Sequence, residues 1–177
     1  MSKQNTKGNN IATNARKTKI KLFSKGIRPN QTIPRKFICQ NQGGKDLSPD
    51  LSWKPIKGAE SYVILAFDPD APSGTWFHWI VPYIPSTITK VPILPARENK
   101  ILEVRGEKLV QGKNSWGKYG YGGPCPSPGK PHRYYFVVYA LDKRMENSNV
   151  NKVQSFLTQI QPHVIGYGHL KAIYQRN

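Results

Sequence analysis

Acidic residues are scarce in this chain. Ten Asp and Glu stand against 27 Lys and Arg among 177 residues, which gives a formal net charge of +17. None of the ten lies in residues 1–45, where 11 of the basic residues are found. Such a charge attracts the chain to anionic partners, either a membrane surface or a nucleic acid, and leaves the choice between them open.

Long apolar runs are also missing. The longest, residues 63–67 and 134–141, are far shorter than the roughly 20 apolar residues that a membrane-spanning helix needs. The N-terminal residues contain no apolar segment of the kind that a secretory signal requires. These two absences predict a soluble protein that is cytoplasmic and not transmembrane.

Cysteine is limited to Cys39 and Cys125, too few for a disulfide framework. In a chain without an export signal, we expect both thiols to be reduced. The zinc-hydrolase spacing H-E-x-x-H, the metal or redox spacing C-x-x-C and the serine-hydrolase spacing G-x-S-x-G are all absent. The sequence therefore predicts neither a metal nor a cofactor, and no enzymatic activity.

Glycine and proline are abundant, with 15 of each, while the apolar runs are short. This combination favours many short strands joined by turns. We predict strands at residues 20–23, 62–67, 76–81, 134–141 and 171–174, an irregular hairpin at 103–111 and a loop at 40–49. Pro82 and Pro85 are expected to end the strand that begins at residue 76.

One helix is predicted near the C terminus. Apolar residues recur at helical spacing over residues 150–164. Asn149 or Asn151 is available as the N-cap. Pro162 should end the helix near Ile160, because its ring clashes with the carbonyl group four residues earlier.

The first 18 residues differ in composition from the rest. They are rich in Lys, Asn and Thr and contain almost no apolar side chains. A segment that cannot bury apolar surface is expected to be disordered, so we predict a disordered basic arm at 1–18 followed by one domain at 19–177. The arm is either a solvated tail or a segment that binds nucleic acid or an anionic membrane by long-range attraction. A transit peptide is a further alternative.

Two motifs carry the candidate site. The first comprises D-P-D-A-P at residues 68–72 and W-F-H-W at residues 76–79, and the second is G-Y-G-G-P-C-P-S-P-G-K-P-H-R-Y at residues 120–134. Prolines fix φ and glycines supply unusual φ/ψ angles around two carboxylates, two histidines and a tyrosine, which is typical of the rigid walls of a pocket. We predict that Asp68, His78 and His132 converge on one cavity.

These motifs resemble the signatures of the phosphatidylethanolamine-binding protein family, which includes the Raf kinase inhibitor proteins. Segments outside the motifs, among them Cys39, Trp53 and residues 174–176, are similar to the bacterial and archaeal branch. The resemblance covers residues 19–177. It implies a mainly β fold, a two-sheet β-sandwich with Greek-key character and one helix in the C-terminal region.

The resemblance also implies a small cavity that binds phosphate, phosphoryl head groups or acetate-like anions. It assigns to that cavity the side chains of Asp68, Trp76, His78, His132 and Tyr134, together with the backbone of Gly123 and Pro124. Asp70 joins these ligand-binding candidates as the second carboxylate of the D-P-D corner.

The two carboxylates are expected to play different roles. Asp68 and Asp70 flank Pro69 and should point to different sides of the chain. One would then accept a hydrogen bond from an ammonium or hydroxyl group of a ligand, while the other braces Arg133. The alternative is an ordinary turn with two capping carboxylates.

The two histidines also have different settings. His78 should share a strand face with Trp76 and Ile80, where it is either a satisfied core residue or a ligand residue. His132 precedes Tyr134 at the start of a strand and is more readily interpreted as functional. Paired histidines could present N–H donors to a phosphate, with protonation adding positive charge.

The sequence therefore predicts a non-enzymatic binding protein for phosphate, a phospholipid head group such as phosphorylethanolamine, or a similar anion. Two alternatives stay open: a regulatory inhibitor that acts on a kinase or protease by surface contact, and a protein tethered to nucleic acid or an anionic membrane by its basic arm. An Asp/His pocket would also permit acid–base catalysis, although the sequence offers no activated nucleophile.

Overall fold

The computed structural model describes residues 16–145, 150 and 152–177, which form nine strands and one α-helix. The strands are β1 (Thr18–Lys19), β2 (Leu51–Ser52), β3 (Ser61–Asp68), β4 (Trp76–Pro85), β5 (Lys90–Val91), β6 (Ile101–Val104), β7 (Glu107–Val110), β8 (His132–Leu141) and β9 (Val164–Tyr174). The helix, α1 (Val153–Ile160), lies between β8 and β9 in the chain. Short 3₁₀ turns occupy Arg35–Phe37, Gln40–Gln42 and Gln161–His163.

A five-stranded sheet forms the centre of the molecule, with strand order β1-β9-β8-β3-β4. Neighbouring strands are antiparallel except for β1, which runs parallel to β9. The small sheets β2–β5 and β6–β7 contribute residues such as Val91 and Leu102 to the core on one face. Helix α1 contributes Phe156 and Ile160 to a second core cluster. The predicted mainly β sandwich with one late helix is confirmed.

Strand β3 is buried because it has a neighbour on each side and a core on each face. Tyr62, Ile64 and Ala66 pack into the cluster shared with the small sheets, whereas Val63 and Leu65 pack into the cluster shared with α1. Burying an aliphatic side chain of this size stabilises a fold by roughly 1.5–3 kcal/mol. The strand predicted at 62–67 is confirmed, and it anchors the sheet.

Strand β4 contains a β-bulge at His78. Ala66 pairs with Trp79 and Phe67 pairs with Phe77, so His78 is left as the extra residue between two regular pairs. Such a residue kinks the strand and changes which side chains face each side. The bulge sets the position of His78 in the candidate site.

The bulge corrects the predicted face pattern of β4. Ile80 lies in the cluster with α1, while Trp79 lies in the other cluster. The prediction that His78 shares a face with Ile80 is therefore wrong. The prediction that Pro82 ends the strand is also wrong, because β4 is an edge strand, where a proline need not donate to a neighbour.

The two ends of the domain meet in strands β1 and β9. The predicted strand at 20–23 is shifted: β1 is Thr18–Lys19, so the fold begins before residue 19. Strand β9 is longer than the predicted strand at 171–174, because it pairs with β8 from Val164 to Tyr174. Gly168 permits the close approach of the Ile20 carbonyl, with which a Cβ would collide. Residues 1–15 of the predicted arm lie outside the described residues.

Helix α1 ends as predicted, near Ile160, where a 3₁₀ turn containing Pro162 follows it. Its N-cap is Lys152, while the predicted caps Asn149 and Asn151 lie outside the described residues. Of the helices in the described part of the chain, none combines the length and apolar character needed to cross a membrane.

Candidate functional site

The predicted site residues meet at one edge of the central sheet. Asp68 is the last residue of β3, Trp76 is the first of β4 and His132 is the first of β8. Because β3 runs antiparallel to both neighbours, its end lies beside their beginnings. The side chains of Asp68, Trp76, His78, His132 and Tyr134 are called the histidine site below.

Asp68 and His132 form a close pair. The Nδ1 atom of His132 lies 2.7 Å from Oδ2 of Asp68, and the Asp70 backbone N–H donates to Oδ1 of the same carboxylate at 2.7 Å. Since both oxygens accept hydrogen bonds, Asp68 orients the imidazole ring through Nδ1. The Nε2 atom of His132 is then left for a ligand.

Asp70 braces Arg133, which is one of the two roles predicted for the D-P-D carboxylates. Its carboxylate accepts hydrogen bonds from the Arg133 backbone N–H at 2.8 Å, from Nε at 2.9 Å and from Nη2 at 2.7 Å. These bonds lower the pKa of the Asp70 carboxyl to about 2. Asp70 therefore holds the D-P-D corner to β8, and its carboxylate is occupied by the guanidinium group.

His78 is buried and fixed by the backbone of Gly122. Its Nδ1 lies 2.7 Å from the Gly122 carbonyl oxygen, and the Gly122 N–H donates to the His78 carbonyl at 2.9 Å. Burial lowers the pKa of the imidazole to about 4. The ring is thus neutral at physiological pH, and the expectation that protonation adds charge is wrong for His78.

Two polar groups of the histidine site are buried without a partner. Within the described residues, neither the Tyr134 hydroxyl nor Nε1 of Trp76 has a partner at full hydrogen-bond geometry, and the Tyr134 hydroxyl lies near enough to the Asp68 carboxylate to interact with it. Burial, together with the nearby Asp68 carboxylate, raises the pKa of the Tyr134 phenol, so the hydroxyl keeps its proton. The Tyr134 ring packs edge-on against His78, with 5.4 Å between ring centroids.

Trp116 covers this group and was missed by the sequence analysis. Its ring packs edge-on against Trp76 at 5.3 Å and against His78 at 5.1 Å between centroids. The side-chain oxygen of Asn114 accepts the backbone N–H of Trp116 at 3.0 Å, which shapes the turn. An aromatic residue in a Gly-rich loop was the available signal, because loop positions often carry binding residues.

Gly123 and Pro124 form part of the wall behind the site. The Gly123 N–H donates to Oδ1 of Asp46 at 2.8 Å, and the Pro124 carbonyl accepts from the Cys39 N–H at 3.1 Å. Sequence analysis predicted both positions but missed Asp46 and Gly122. Gly122, rather than Gly123, contacts His78.

A disulfide bond reinforces the same wall. Cys39 and Cys125 are bonded, with their Cα atoms 5.4 Å apart. The expectation of two reduced thiols is therefore wrong. The reason is spatial: the loop that carries Cys125 folds against the segment that carries Cys39, although 86 positions separate them in sequence.

A cavity of about 160 Å³ lies on the far side of Trp116 and Gly122, and none of the five side chains of the histidine site lines it. The convergence of Asp68, His78 and His132 on one cavity therefore stays a prediction. Trp116 and Gly122 belong to the lining of the 160 Å³ cavity, and Asp46, Arg97 and Tyr121 form other parts of the wall. Nε of Arg97 lies 3.4 Å from the Asp46 carboxylate, so these charges offset each other. Among the described residues, no group of three or more His, Cys, Asp or Glu side chains is placed to hold a metal ion.

The family of the chain follows from its match to a family model. Residues 23–175 match the family model described as phosphatidylethanolamine-binding protein. The chain belongs to this family. The matched range contains every residue of the histidine site and all strands except β1.

Relatives occur in archaea and bacteria. The chain is 38% identical over 146 residues to a UPF0098 protein of Archaeoglobus fulgidus, an alignment that covers 82% of this chain and 47% of the relative. The chain thus spans about half the length of that protein. It is 35% identical over 127 residues to UPF0098 protein YbhB of Escherichia coli, covering 70% of this chain and 78% of YbhB.

Two solved structures share the fold. Escherichia coli YbcL, described as a member of the mammalian phosphatidylethanolamine-binding protein family, superposes with a TM-score of 0.77 at 29% identity. The match covers 89% of this chain and 99% of YbcL. A phosphatidylethanolamine-binding protein homolog from Chlamydia trachomatis gives a TM-score of 0.73 at 31% identity, with 90% and 99% covered.

Proposed function

We propose that this protein is a non-enzymatic binding protein whose histidine site accepts phosphate, a phosphoryl head group or a similar small anion. Membership of the phosphatidylethanolamine-binding protein family supports a binding role. The hydrogen-bond donors of the site support a small anion as the ligand.

Two buried donors carry the proposal. The Tyr134 hydroxyl and Trp76 Nε1 are buried without a partner among the described residues. An unsatisfied buried polar group costs about 1–3 kcal/mol, so a ligand that accepts from both would recover that free energy. A phosphoryl group presents three strong acceptor oxygens in a small volume, which suits a site enclosed by aromatic rings.

The charges of the site favour weak binding. Asp68 is paired with His132, His78 is neutral, and the Arg133 guanidinium is held by Asp70. The histidine site therefore has no surplus positive charge, and selectivity has to come from hydrogen bonds. We expect dissociation constants on the order of micromolar to millimolar.

Binding is favoured over turnover because, within the described residues, no Ser, Thr or Cys side chain is hydrogen-bonded to either imidazole ring of the site. In the described part of the chain, the hydrogen bonds of both imidazole rings go to Gly122 and Asp68. Both cysteine thiols are consumed in the disulfide. Covalent catalysis needs a nucleophile within hydrogen-bond reach of a base.

A titration of the full chain with inorganic phosphate and with phosphorylethanolamine tests this function. Calorimetry should show saturable binding, and His132→Ala should weaken it by roughly 1–3 kcal/mol through loss of a hydrogen bond to a charged group. His163→Ala is the matched control, because Nδ1 of His163 also bonds an aspartate, Asp142 at 3.0 Å, outside the histidine site. Equal affinity in both variants would move the site elsewhere, and no saturable binding by the parent chain would reject the function.

Attraction to anionic surfaces is a second candidate, favoured by the charge distribution. Residues 16–36 contain eight Lys or Arg, all exposed, and no acidic residue. Retention on anionic vesicles at low salt, lost at high salt and absent with neutral vesicles, is the expected result. The same measurement with duplex DNA separates the nucleic-acid alternative. Inhibition of a kinase or protease by surface contact stays a prediction.

The cytoplasmic location also stays a prediction, and the disulfide weighs against it. Disulfide bonds persist in oxidising compartments and are rare in the cytosol, apart from that of some hyperthermophiles. Alkylation of Cys39 and Cys125 after rapid acid quenching of cells would measure their oxidation state. Alkylated thiols in the native protein would favour the cytosol.

A further inference from the structure

The neutral ring of His78 presents a hydrogen-bond acceptor to a ligand. Nδ1 of His78 lies 2.7 Å from the Gly122 carbonyl oxygen, which can only accept, so Nδ1 carries the ring proton. Nε2 of His78 therefore offers a lone pair. Within the described residues, the hydrogen bonds of this ring end at Gly122, and Nε2 is left for the ligand.

The surroundings of His78 keep it in this state. Burial is the largest influence and lowers the imidazole pKa to about 4, and the positive charge that His132 can carry acts in the same direction. The carboxylates of Asp68 and Asp46 oppose the shift without cancelling it. Tyr134, which packs on the ring, keeps its own proton because its phenol pKa is raised.

We propose that the histidine site selects a phosphate monoester in its monoanionic, singly protonated form. The O–H of that ligand donates to Nε2 of His78, while its other oxygens accept from Tyr134 and Trp76. The Asp68 carboxylate adds to the preference, because it disfavours a second negative charge beside it. This inference rests on the proposed function and specifies the protonation state of its ligand.

Methyl phosphate and methyl sulfate make a matched pair for the test. At about pH 5.5 both are largely monoanions of similar shape, because the second phosphate pKa is about 6, but only methyl phosphate has an O–H. Methyl phosphate should bind the full chain about tenfold more tightly, since methyl sulfate turns an oxygen lone pair toward His78. Equal affinity, or tighter binding of methyl sulfate, would overturn the inference while leaving anion binding intact.

Raising the pH gives a second, independent test of the inference. At about pH 7.5 methyl phosphate is mainly a dianion without the donor, so its advantage over methyl sulfate should disappear. Any other effect of pH on the protein acts on both ligands, and the methyl sulfate profile measures that effect separately. A preference for methyl phosphate that grows with pH would overturn the inference.

His78→Ala tests the acceptor directly. The variant should bind the two ligands within about twofold of each other at about pH 5.5, because the lone pair that distinguishes them is gone. A preference that persists in the folded variant would overturn the role of His78. If the variant fails to fold, the parent chain at the two pH values still decides. Binding of neither ligand by the parent chain would reject the proposed function itself.

Discussion

Two histidine–aspartate pairs in this protein share their chemistry and differ in their surroundings. Nδ1 of the histidine lies 2.7 Å from the carboxylate in His132–Asp68 and 3.0 Å in His163–Asp142. The Asp68 side chain is 5% exposed and that of Asp142 is 49% exposed. Solvent screens the second pair, whereas removing a partner from the first leaves a buried polar group.

The local structure explains this difference. Asp68 ends a central strand and also accepts the Asp70 N–H, while His132 begins the neighbouring strand. His163 lies in the turn after α1, and Asp142 follows β8. Contact geometry alone therefore does not separate a site pair from a surface pair. Burial and the remaining partners do.

Removing each aspartate should give the largest contrast. Asp68→Ala should reduce the free energy of unfolding by roughly 2–4 kcal/mol, because it leaves His132 and the Asp70 N–H unsatisfied in a buried setting. Asp142→Ala should cost at most about 1 kcal/mol, as is usual for an exposed pair. Urea unfolding with the disulfide intact measures both. Equal losses would show that burial does not distinguish the pairs.

A third histidine, His78, should make the stability of the protein depend on pH. His78 is as buried as Asp68, but its partner is a carbonyl group, and its pKa falls to about 4 from an unfolded value of 6.5. Between these values the unfolded state binds more protons, so stability should fall as the pH drops from 6.5 to 4, by up to about 3 kcal/mol. The urea concentration at the unfolding midpoint should depend less on pH across this range in His78→Gln than in the parent chain. An unchanged slope in that variant would assign the effect to other groups.

Removing the Trp116 ring should make the surroundings of the His132–Asp68 pair more like those of the exposed His163–Asp142 pair. Trp116→Ala admits water to the histidine site, which weakens its electrostatic contacts, so phosphate should bind about threefold to tenfold less tightly. Trp116→Phe should stay within about twofold, because a ring still covers the site. Phe23→Ala is the control, since Phe23 is 45% exposed and Trp116 is 44% exposed. Tighter phosphate binding by Trp116→Ala would show that the ring obstructs entry.

Deletion of residues 1–15 should have the smallest effect and leave both pairs intact. This segment has few apolar side chains to bury, so the melting temperature should change by no more than about two degrees. Deletion of residues 1–20 should cost more, because it removes β1 and the buried Ile20. A drop of about ten degrees or more after the shorter deletion would show that residues 1–15 contribute to the fold.

The sequence predicted the elements whose signal is local. Strands β3 and β8 follow from dense aromatic and β-branched runs, and the β6–β7 hairpin turns at Arg105–Gly106, where both residues have positive φ. The two motifs also identified Asp68 and His132 before their 2.7 Å contact was known. These features were predictable because they depend on residues close together in sequence and on a distinctive local composition.

Features set by long-range packing were not predictable in this way. The bulge at His78 exists only in the pairing of β4 with β3, and the early start of β9 depends on its pairing with β8 and with β1. The disulfide depends on two segments meeting in space.

The loop that carries Trp116 also pairs with the free edge of β4. Backbone N–H groups of Gly112, Ser115 and Gly122 donate to the carbonyls of Ile80, Phe77 and His78. These carbonyls would otherwise be open to another chain, and unpaired strand edges are common starting points for aggregation. The loop therefore protects this strand edge from edge-to-edge association, and rebuilding it to change ligand preference would favour aggregation.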